Sequence, residues 1–347
     1  MEKIDLTNLT LSQLTEYVMS LGLPKYRGAQ IFAWLYRPHT TDFSQMTDLS
    51  KELRAILDSK TSFQWPEIAA IEHSKDGTIK YGFKLSDSNY IESVLIPEED
   101  RNTLCISSQV GCAMGCEFCL TGVSGFKRNL TPGEIVGQVV KVRDWLCDKY
   151  DSTASLSNLV FMGMGEPLAN FDNLVIALDI LTEQRGLDFS DRRITVSTCG
   201  LVPKIKDLGE KTKVNLAVSL HSVDNAIRSK LMPINKKYPV EGLLETCRNF
   251  PLPKRKRIMF EYILIKDLND SESDAQMLAE KLKGIPCKIN LLPYNEIKEL
   301  PFKRPSNEQV ELFQHKLWDA GYTVFVRSSR GSDISAACGQ LAGKICS

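Results

Sequence analysis

The chain reads as an α/β protein built on a partial (βα)6 barrel, with a small N-terminal helical module and a β-meander extension ahead of it. Three observations predict this. Helical periodicity fills roughly the first 60 residues, strict alternation of apolar and polar residues follows from about 65 to 97, and strand-like and helix-like segments then alternate from about 103 to 326. Six strand-helix units are too few for a closed eightfold barrel, so the sheet should stay open on one side, with ligands at the carboxyl ends of its strands. The expected divisions are 1–60, 61–100, 101–326 and a tail over 327–347.

Within the first segment, Thr10-Leu11-Ser12-Gln13 has the form of a capping box ahead of Leu14, Tyr17, Val18 and Leu21. Ile31, Phe32, Trp34 and Leu35 supply a second apolar face, and the intervening turn carries Lys25, Tyr26 and Arg27. Runs at Ile68–Ser74, Thr78–Leu85 and Tyr90–Ile96 are separated by Asp76-Gly77 and Asp87-Ser88-Asn89 and stopped by Pro97, which predicts a three-stranded antiparallel meander. Barrel strands are predicted at Thr103–Val110, Leu156–Met162, Arg193–Thr198, Val214–Leu220, Ile258–Ile265 and Cys287–Leu292, with a last strand at Tyr322–Val326. Thr131-Pro132-Gly133-Glu134 opens the first long helix as a capping box with proline in the first turn. The tail is rich in Gly, Ser, Ala and Cys and predicts loop with a short helix at most.

Hydrophobic content of 43% and charged content of 25% are globular values. Basic and acidic residues number 43 each, so whole-molecule steering of a polyanion is not expected and any nucleic-acid contact must come from local basic patches. No apolar run approaches a membrane span, and Met1-Glu2-Lys3-Ile4-Asp5 does not read as a secretory leader; a cytoplasmic protein without membrane association is expected. Of the ten cysteines, three cluster and the others are dispersed at 105, 147, 199, 247, 287, 338 and 346, which does not read as a secreted disulfide framework.

The cluster is Cys112, Cys116 and Cys119 within Gly111-Cys112-Ala113-Met114-Gly115-Cys116-Glu117-Phe118-Cys119. A structural zinc site takes four protein ligands, commonly as two paired knuckles, and no matching Cys-x-x-Cys or Cys-x-x-His pair occurs elsewhere. Closely spaced thiolates hold iron-sulfur clusters, and a four-iron cluster given only three keeps one iron open to a non-protein ligand. The spacing therefore predicts a catalytic [4Fe-4S] centre, and Gly111 and Gly115 suit a loop wrapped round a cofactor.

Other candidates gather at predicted strand ends. Gly163-Met164-Gly165-Glu166-Pro167 follows the second barrel strand, where glycine admits close approach of a ligand and Glu166 could accept from an ammonium group. Ser197, Ser219, His221 and Asn295 sit on the same rim; each alone suits a loop hydrogen bond, and their common placement is the argument for a site. In the tail, Cys338 lies between Ala337 and Gly339, poorly placed for core packing and well placed for reaction with an electrophile. Cys346, at the chain end, competes for that role.

The C-x3-C-x2-C pattern with an aromatic before its last cysteine is the signature of the radical S-adenosylmethionine (SAM) superfamily. Together with Ile91-Glu92-Ser93-Val94-Leu95-Ile96-Pro97, Leu104-Cys105-Ile106-Ser107-Ser108-Gln109-Val110-Gly111-Cys112, Phe161-Met162-Gly163-Met164-Gly165-Glu166-Pro167, Ser219-Leu220-His221 and Ala337-Cys338-Gly339-Gln340-Leu341, it resembles the RlmN/Cfr family of RNA methyltransferases along nearly the whole chain. The resemblance implies a radical SAM partial barrel, one [4Fe-4S] cluster on Cys112, Cys116 and Cys119, and two SAM molecules per turnover. It implies methylation of adenosine carbon 2 in 23S rRNA, at the peptidyl transferase centre, and in tRNA, next to the anticodon. Carbon 2 is electron-poor and has no nucleophile to offer the methyl of SAM, so radical chemistry fits the problem. By similarity, Cys338 takes a methyl group from one SAM and loses a hydrogen to a 5'-deoxyadenosyl radical made from a second; the methylene radical then adds to adenine. Glu92 resembles the proton acceptor, and Cys105 the thiol that displaces Cys338 through a transient disulfide. Gly165, Glu166, Ser197, Ser219, Leu220, His221 and Asn295 match the family's SAM contacts.

The same resemblance implies an electron donor such as flavodoxin or ferredoxin; a monomer is expected, with 1–60 as an RNA-binding accessory module. Candidate phosphate contacts are Phe126-Lys127-Arg128, Lys236-Lys237, Lys254-Arg255-Lys256-Arg257, Lys303-Arg304 and the turn around Tyr26. The substrate base must leave its stack to reach a buried site. Three rivals remain open: a Cfr-type enzyme acting on carbon 8 of the same rRNA adenosine, a radical SAM enzyme for a small molecule or protein, and a zinc-bearing RNA-binding module.

Overall fold

The computed structural model describes residues 3–150 and 155–343 of the chain; Cys346 lies outside the described residues. The N-terminal elements are β1 (Ile4–Asp5), α1 (Leu11–Ser20), α2 (Tyr26–Leu35), α3 (Lys51–Lys60) and β2 (Thr61–Ser62), with β1 and β2 paired in parallel. The Thr10 capping box forms: Gln13 N donates to Thr10 Oγ1 at 3.3 Å and Thr10 N to Gln13 Oε1 at 2.9 Å. Leu14 and Val18 of α1 and Ile31, Phe32 and Leu35 of α2 are buried, each worth about 1.5–3 kcal/mol against exposure.

The meander is β3 (Glu67–His73), β4 (Ile79–Lys84) and β5 (Tyr90–Glu98), antiparallel throughout. Pro97 does not stop β5, which continues to Glu98 opposite Arg101. There follow β6 (Arg101–Cys105), β7 (Gln109–Gly111), α4 (Leu120–Val123), β8 (Phe126–Asn129), α5 (Pro132–Tyr150), β9 (Leu156–Phe161), α6 (Phe171–Thr182) and β10 (Ile194–Thr198). The chain continues with α7 (Val202–Lys211), β11 (Asn215–Ser219), α8 (Asn225–Leu231), α9 (Val240–Arg248), β12 (Ile258–Leu264), α10 (Glu272–Lys281), β13 (Cys287–Pro293), α11 (Asn307–Asp319) and β14 (Val324–Val326). The expected strand over 103–110 is in fact two, because the backbone leaves the main sheet after Cys105 and β7 pairs with β8 in a separate ribbon.

One ten-stranded sheet runs in the order β14-β13-β12-β11-β10-β9-β6-β5-β4-β3. The strands β6 and β9 to β14 are parallel, and β5 joins β6 antiparallel, so meander and partial barrel share one hydrogen-bonded surface. Strands covered on both faces read as near-continuous apolar runs, as in Ile258-Met259-Phe260-Glu261-Tyr262-Ile263-Leu264, where Glu261 is the exception. Helix α5 packs the first crossover with buried Ile135, Val136, Val139, Val140 and Val142. Its capping box is also present: Glu134 N donates to Thr131 Oγ1 at 3.2 Å and Thr131 N to Glu134 Oε2 at 2.9 Å.

From β14 at one sheet edge the tail crosses to the β3–β4 hairpin at the other. There Gly331 N donates to Asp76 Oδ2 at 2.9 Å and Lys75 N to Asp333 Oδ2 at 3.2 Å. Further on, the tail meets the segment that follows the cysteine loop: Leu120 N donates to Gly339 O at 2.8 Å and Thr121 Oγ1 to Leu341 O at 2.6 Å.

Candidate active site

The cysteine loop turns at Gly111 (φ 74°) and Gly115 (φ 63°), left-handed conformations that glycine adopts without a Cβ penalty. Cys112 N donates to Gly125 O at 3.0 Å, Cys119 N to Cys116 O at 3.2 Å and Glu117 N to Leu231 O at 3.0 Å, which ties the loop to β8 and α8. The three cysteines are free thiols and open together into a cleft enclosing about 920 Å³ of space between its walls, part of it continuous with solvent. Burial pushes the Cys112 thiol up to about 12 and raises Cys116 further.

Such thiols ionise when a bound cation or cluster supplies compensating charge. Among the described residues no three Cys, His, Asp or Glu side chains converge as ligands of a single metal ion. A structural zinc takes four protein ligands, whereas three thiolates can each hold one iron of a cubane, so this donor set fits a four-iron cluster better than mononuclear zinc. A fourth thiol on the wall, Cys199, is engaged otherwise: it hydrogen-bonds the Glu166 carboxylate, and burial raises it well above an ordinary thiol.

Gly165, Glu166, Ser197, Ser219, His221 and Cys338 line the same cleft as the three cysteines. Glu166 is 4% exposed; its Oε1 accepts from Leu168 N at 3.0 Å and its Oε2 from Cys199 N at 2.7 Å. Gly165 stands at φ 95°, and a Cβ there would meet Gln109 at 2.5 Å, so only glycine lets the backbone reach the cavity wall at this point. His221 accepts from Ile263 N through Nδ1 at 3.1 Å, which leaves Nε2 as the protonated nitrogen of a neutral ring. Burial, with Arg228 nearby, drives the His221 pKa down to about 3, and the Phe118 ring meets it edge-on at 4.9 Å between centroids.

Cys338 is exposed into the cleft yet crowded by protein. That crowding, with Glu261 and Cys119 nearby, pushes its thiol up to about 11. Cys105, at the end of β6, is 8% exposed, and its thiol is raised by burial and then by Cys338, so the two sulfurs are electrostatic neighbours. No disulfide is present among the described residues, where both cysteines are free.

Four expected site residues stand off the cleft wall. Leu220 is fully buried between Ser219 and His221, and its carbonyl accepts from Arg228 Nε at 3.0 Å. Asn295 takes a hydrogen bond from the Ser329 hydroxyl in the tail. Cys105 is buried within electrostatic reach of Cys338, and the carboxylate of Glu92 is occupied by Lys80 and by tail amides.

Two wall or support residues were not anticipated. Glu261 faces the cleft from β12, is 6% exposed, accepts from Asn290 Nδ2 at 2.9 Å and is pushed up to about 7 by burial. A carboxylate within an otherwise apolar strand was the available signal. Arg228 is 1% exposed and donates to Leu220 O, Asn235 Oδ1, Cys199 O and Ser219 O, fixing the loops that carry the rim serine and histidine. The expected basic patches are partly spent: Arg128 pairs with Asp87 and Glu134, and Lys303 with Glu296. Tyr26 remains 57% exposed with the Arg27 guanidinium 4.9 Å from its ring centre.

A partial parallel barrel with three cysteines in the loop after its first strand, facing a buried carboxylate and a tail thiol across one cleft, defines a radical SAM methyltransferase. Residues 106–278 match the Radical SAM superfamily and residues 4–62 the Ribosomal RNA large subunit methyltransferase N-terminal domain. The chain is 56% identical to the dual-specificity RNA methyltransferase RlmN of Desulfotalea psychrophila, over 98% of this chain and 95% of that protein. It is 52% identical to the RlmN of Geobacter sulfurreducens, over 99% and 93%. A crystal structure of a radical SAM methyltransferase from Sphaerobacter thermophilus superposes with a TM-score of 0.92 at 44% identity, covering 98% of this chain and all of that one. The chain belongs to the RlmN family of dual-specificity RNA methyltransferases. Its cofactors are accordingly a [4Fe-4S] cluster and SAM. Among the described residues no helix is long and apolar enough to cross a membrane.

Proposed function

We propose that this enzyme methylates carbon 2 of adenosine in 23S rRNA and in tRNA, carrying the methyl carbon on Cys338. The observation that carries the reading is that Cys338 opens into the cleft lined by Cys112, Cys116 and Cys119, on a tail bonded to the two residues that directly follow Cys119. Cys112, Cys116 and Cys119 would hold the cluster, which with SAM would supply the one-electron, hydrogen-abstracting chemistry.

Every other role falls to the chain. Glu166 takes the SAM ammonium, with Gly165, Ser197, Ser219, Leu220, His221 and Asn295 as further SAM contacts. Cys338 gives up its proton, takes a methyl group by displacement, loses one hydrogen from that methyl and bonds through the resulting carbon to the base. Glu92 accepts the proton that leaves carbon 2, which requires its carboxylate to part from the tail amides. Cys105 then gives up its proton and attacks the Cys338 sulfur, forming a disulfide as the carbon–sulfur bond breaks; the odd electron of the adduct would pass to the redox centre that Cys112, Cys116 and Cys119 hold, and the freed carbon takes a proton as the product leaves. In this reading 1–60 is an RNA-binding module, 61–100 the meander extension, 101–326 the catalytic barrel and 327–347 the reagent-bearing tail. Exposed Tyr26 with Arg27 supports RNA contact by the module. A flavodoxin- or ferredoxin-type protein supplies electrons, and the enzyme works in the cytoplasm as a monomer.

The test is an anaerobic assay with SAM deuterated at its methyl group and an rRNA fragment. A 2-methyladenosine whose methyl retains two deuterons is expected; a fully deuterated methyl would overturn the Cys338 route, and 8-methyladenosine would assign the carbon-8 chemistry.

A further inference from the structure

Lys80 does not line the active-site cleft and has no part in the chemistry above, yet it is a lysine only 5% exposed on β4. A buried ammonium is costly unless its donors find partners. Its Nζ lies 2.9 Å from Glu72 Oε1 and 3.6 Å from Glu92 Oε1, and donates to the carbonyl of Ile334 at 2.7 Å. The other oxygen of Glu92 accepts from Ala342 N at 2.8 Å and Gly343 N at 2.9 Å. One ammonium thus grips the tail directly before Cys338 and, through Glu92, again after it. Between these points Cys338 itself is exposed; Ala336, Ala337 and Leu341 are buried, and the carbonyls of Gly339 and Leu341 accept from Leu120 N and Thr121 Oγ1, so the clamp acts at the two ends of a segment also held at its middle.

We propose that Lys80 is a positioning residue: together with Glu92 it clamps the tail on both sides of Cys338 and so sets where that sulfur stands in the cleft. The proposal rests on the reading of Cys338 as methyl carrier for its consequence, but the clamp itself is a property of the tail. It also gives Glu92 two connected tasks, since the carboxylate that is to accept a proton is the one that holds the tail. Protonation removes its charge and weakens both the ion pair with Lys80 and the two accepted amide bonds.

Cluster-loaded, full-length wild type, Lys80→Met and Lys80→Arg are compared by amide hydrogen exchange and by uptake of labelled methyl from SAM into the Cys338 peptide. Lys80→Met is expected to speed exchange across 335–343 and to slow methyl uptake at saturating SAM, each about tenfold, as for loss of a charge-assisted hydrogen bond. Its KM for SAM should not change, and Lys80→Arg, which keeps a cation, should restore both readouts to within about threefold. If Lys80→Met opens β4 and β5 as well, Glu92→Gln decides by exchange alone, because it keeps shape and removes the charge. Tail exchange unchanged in the deciding variant overturns the clamp. Separately, RNA methylation that survives Cys338→Ala overturns the reading of Cys338, which the exchange measurement does not depend on.

Discussion

The carbonyl oxygen of Gly125 stands 1.8 Å from the position a Cβ on Gly111 would occupy, and the same oxygen accepts the Cys112 amide. The first cluster cysteine is therefore oriented by a backbone contact that tolerates no side chain beside it.

Gly111→Ala combines this overlap with a left-handed φ, a cost of about 3 kcal/mol concentrated on the loop. Iron per chain after anaerobic reconstitution should fall to a small fraction of wild type. Gly125→Ala is the control: its φ is also positive, at 77°, but a Cβ there meets nothing within 4 Å, so it should lose only about 1 kcal/mol and keep its iron.

Cys105→Ala should stall turnover after carbon transfer, because the neighbouring sulfur that would displace Cys338 is gone. A covalent protein–RNA species that survives denaturing gel electrophoresis should accumulate, and the double variant with Cys338→Ala should not form it. Free product at the wild-type rate from Cys105→Ala would remove this residue from the reaction.

Glu261 sits buried with its pKa raised to about 7 from 4.5. A raised carboxyl pKa means the folded state prefers the proton, so the stabilisation is complete below about pH 4.5 and is lost as pH rises through about 7. In cluster-free protein, Glu261→Gln should match wild type near pH 4.5 and exceed it above pH 7 by up to roughly 3 kcal/mol. Melting temperature against pH measures the difference, and parallel curves would show that Glu261 ionises freely in the fold.

Arg228→Lys keeps the charge and loses the planar fork that reaches several acceptors at once. Buried carbonyls left without donors should cost about 3–5 kcal/mol, seen as a melting point lower by roughly 5 °C. SAM binding should weaken as well, because Ser219 and Leu220 carry two of those carbonyls.

Much of this was readable from the residues alone. The Thr10 and Thr131 caps, the meander with its two turns, the strand-helix alternation and the cysteine loop are local signals, and each forms as expected. The β7–β8 ribbon was missed because strands of three and four residues broken by a bulge carry no period. Lys80 was missed because a lysine between Ile79 and Tyr81 reads as the solvent-facing member of an alternating strand, and its partners Glu72, Glu92 and Ile334 O lie on other strands and on the distant tail. Arg128 looked like free charge for the converse reason, since Asp87, the partner that occupies it along with Glu134, is remote in the chain.

The crossing of the tail from the β14 edge to the β3–β4 hairpin has one more implication. The stretch that crosses to the hairpin and the stretch that bears Cys338 are one piece of polypeptide, bonded at Gly331 and Asp333 on one side of that cysteine and at Gly339 and Leu341 on the other, so whatever displaces the crossing shifts the sulfur as well.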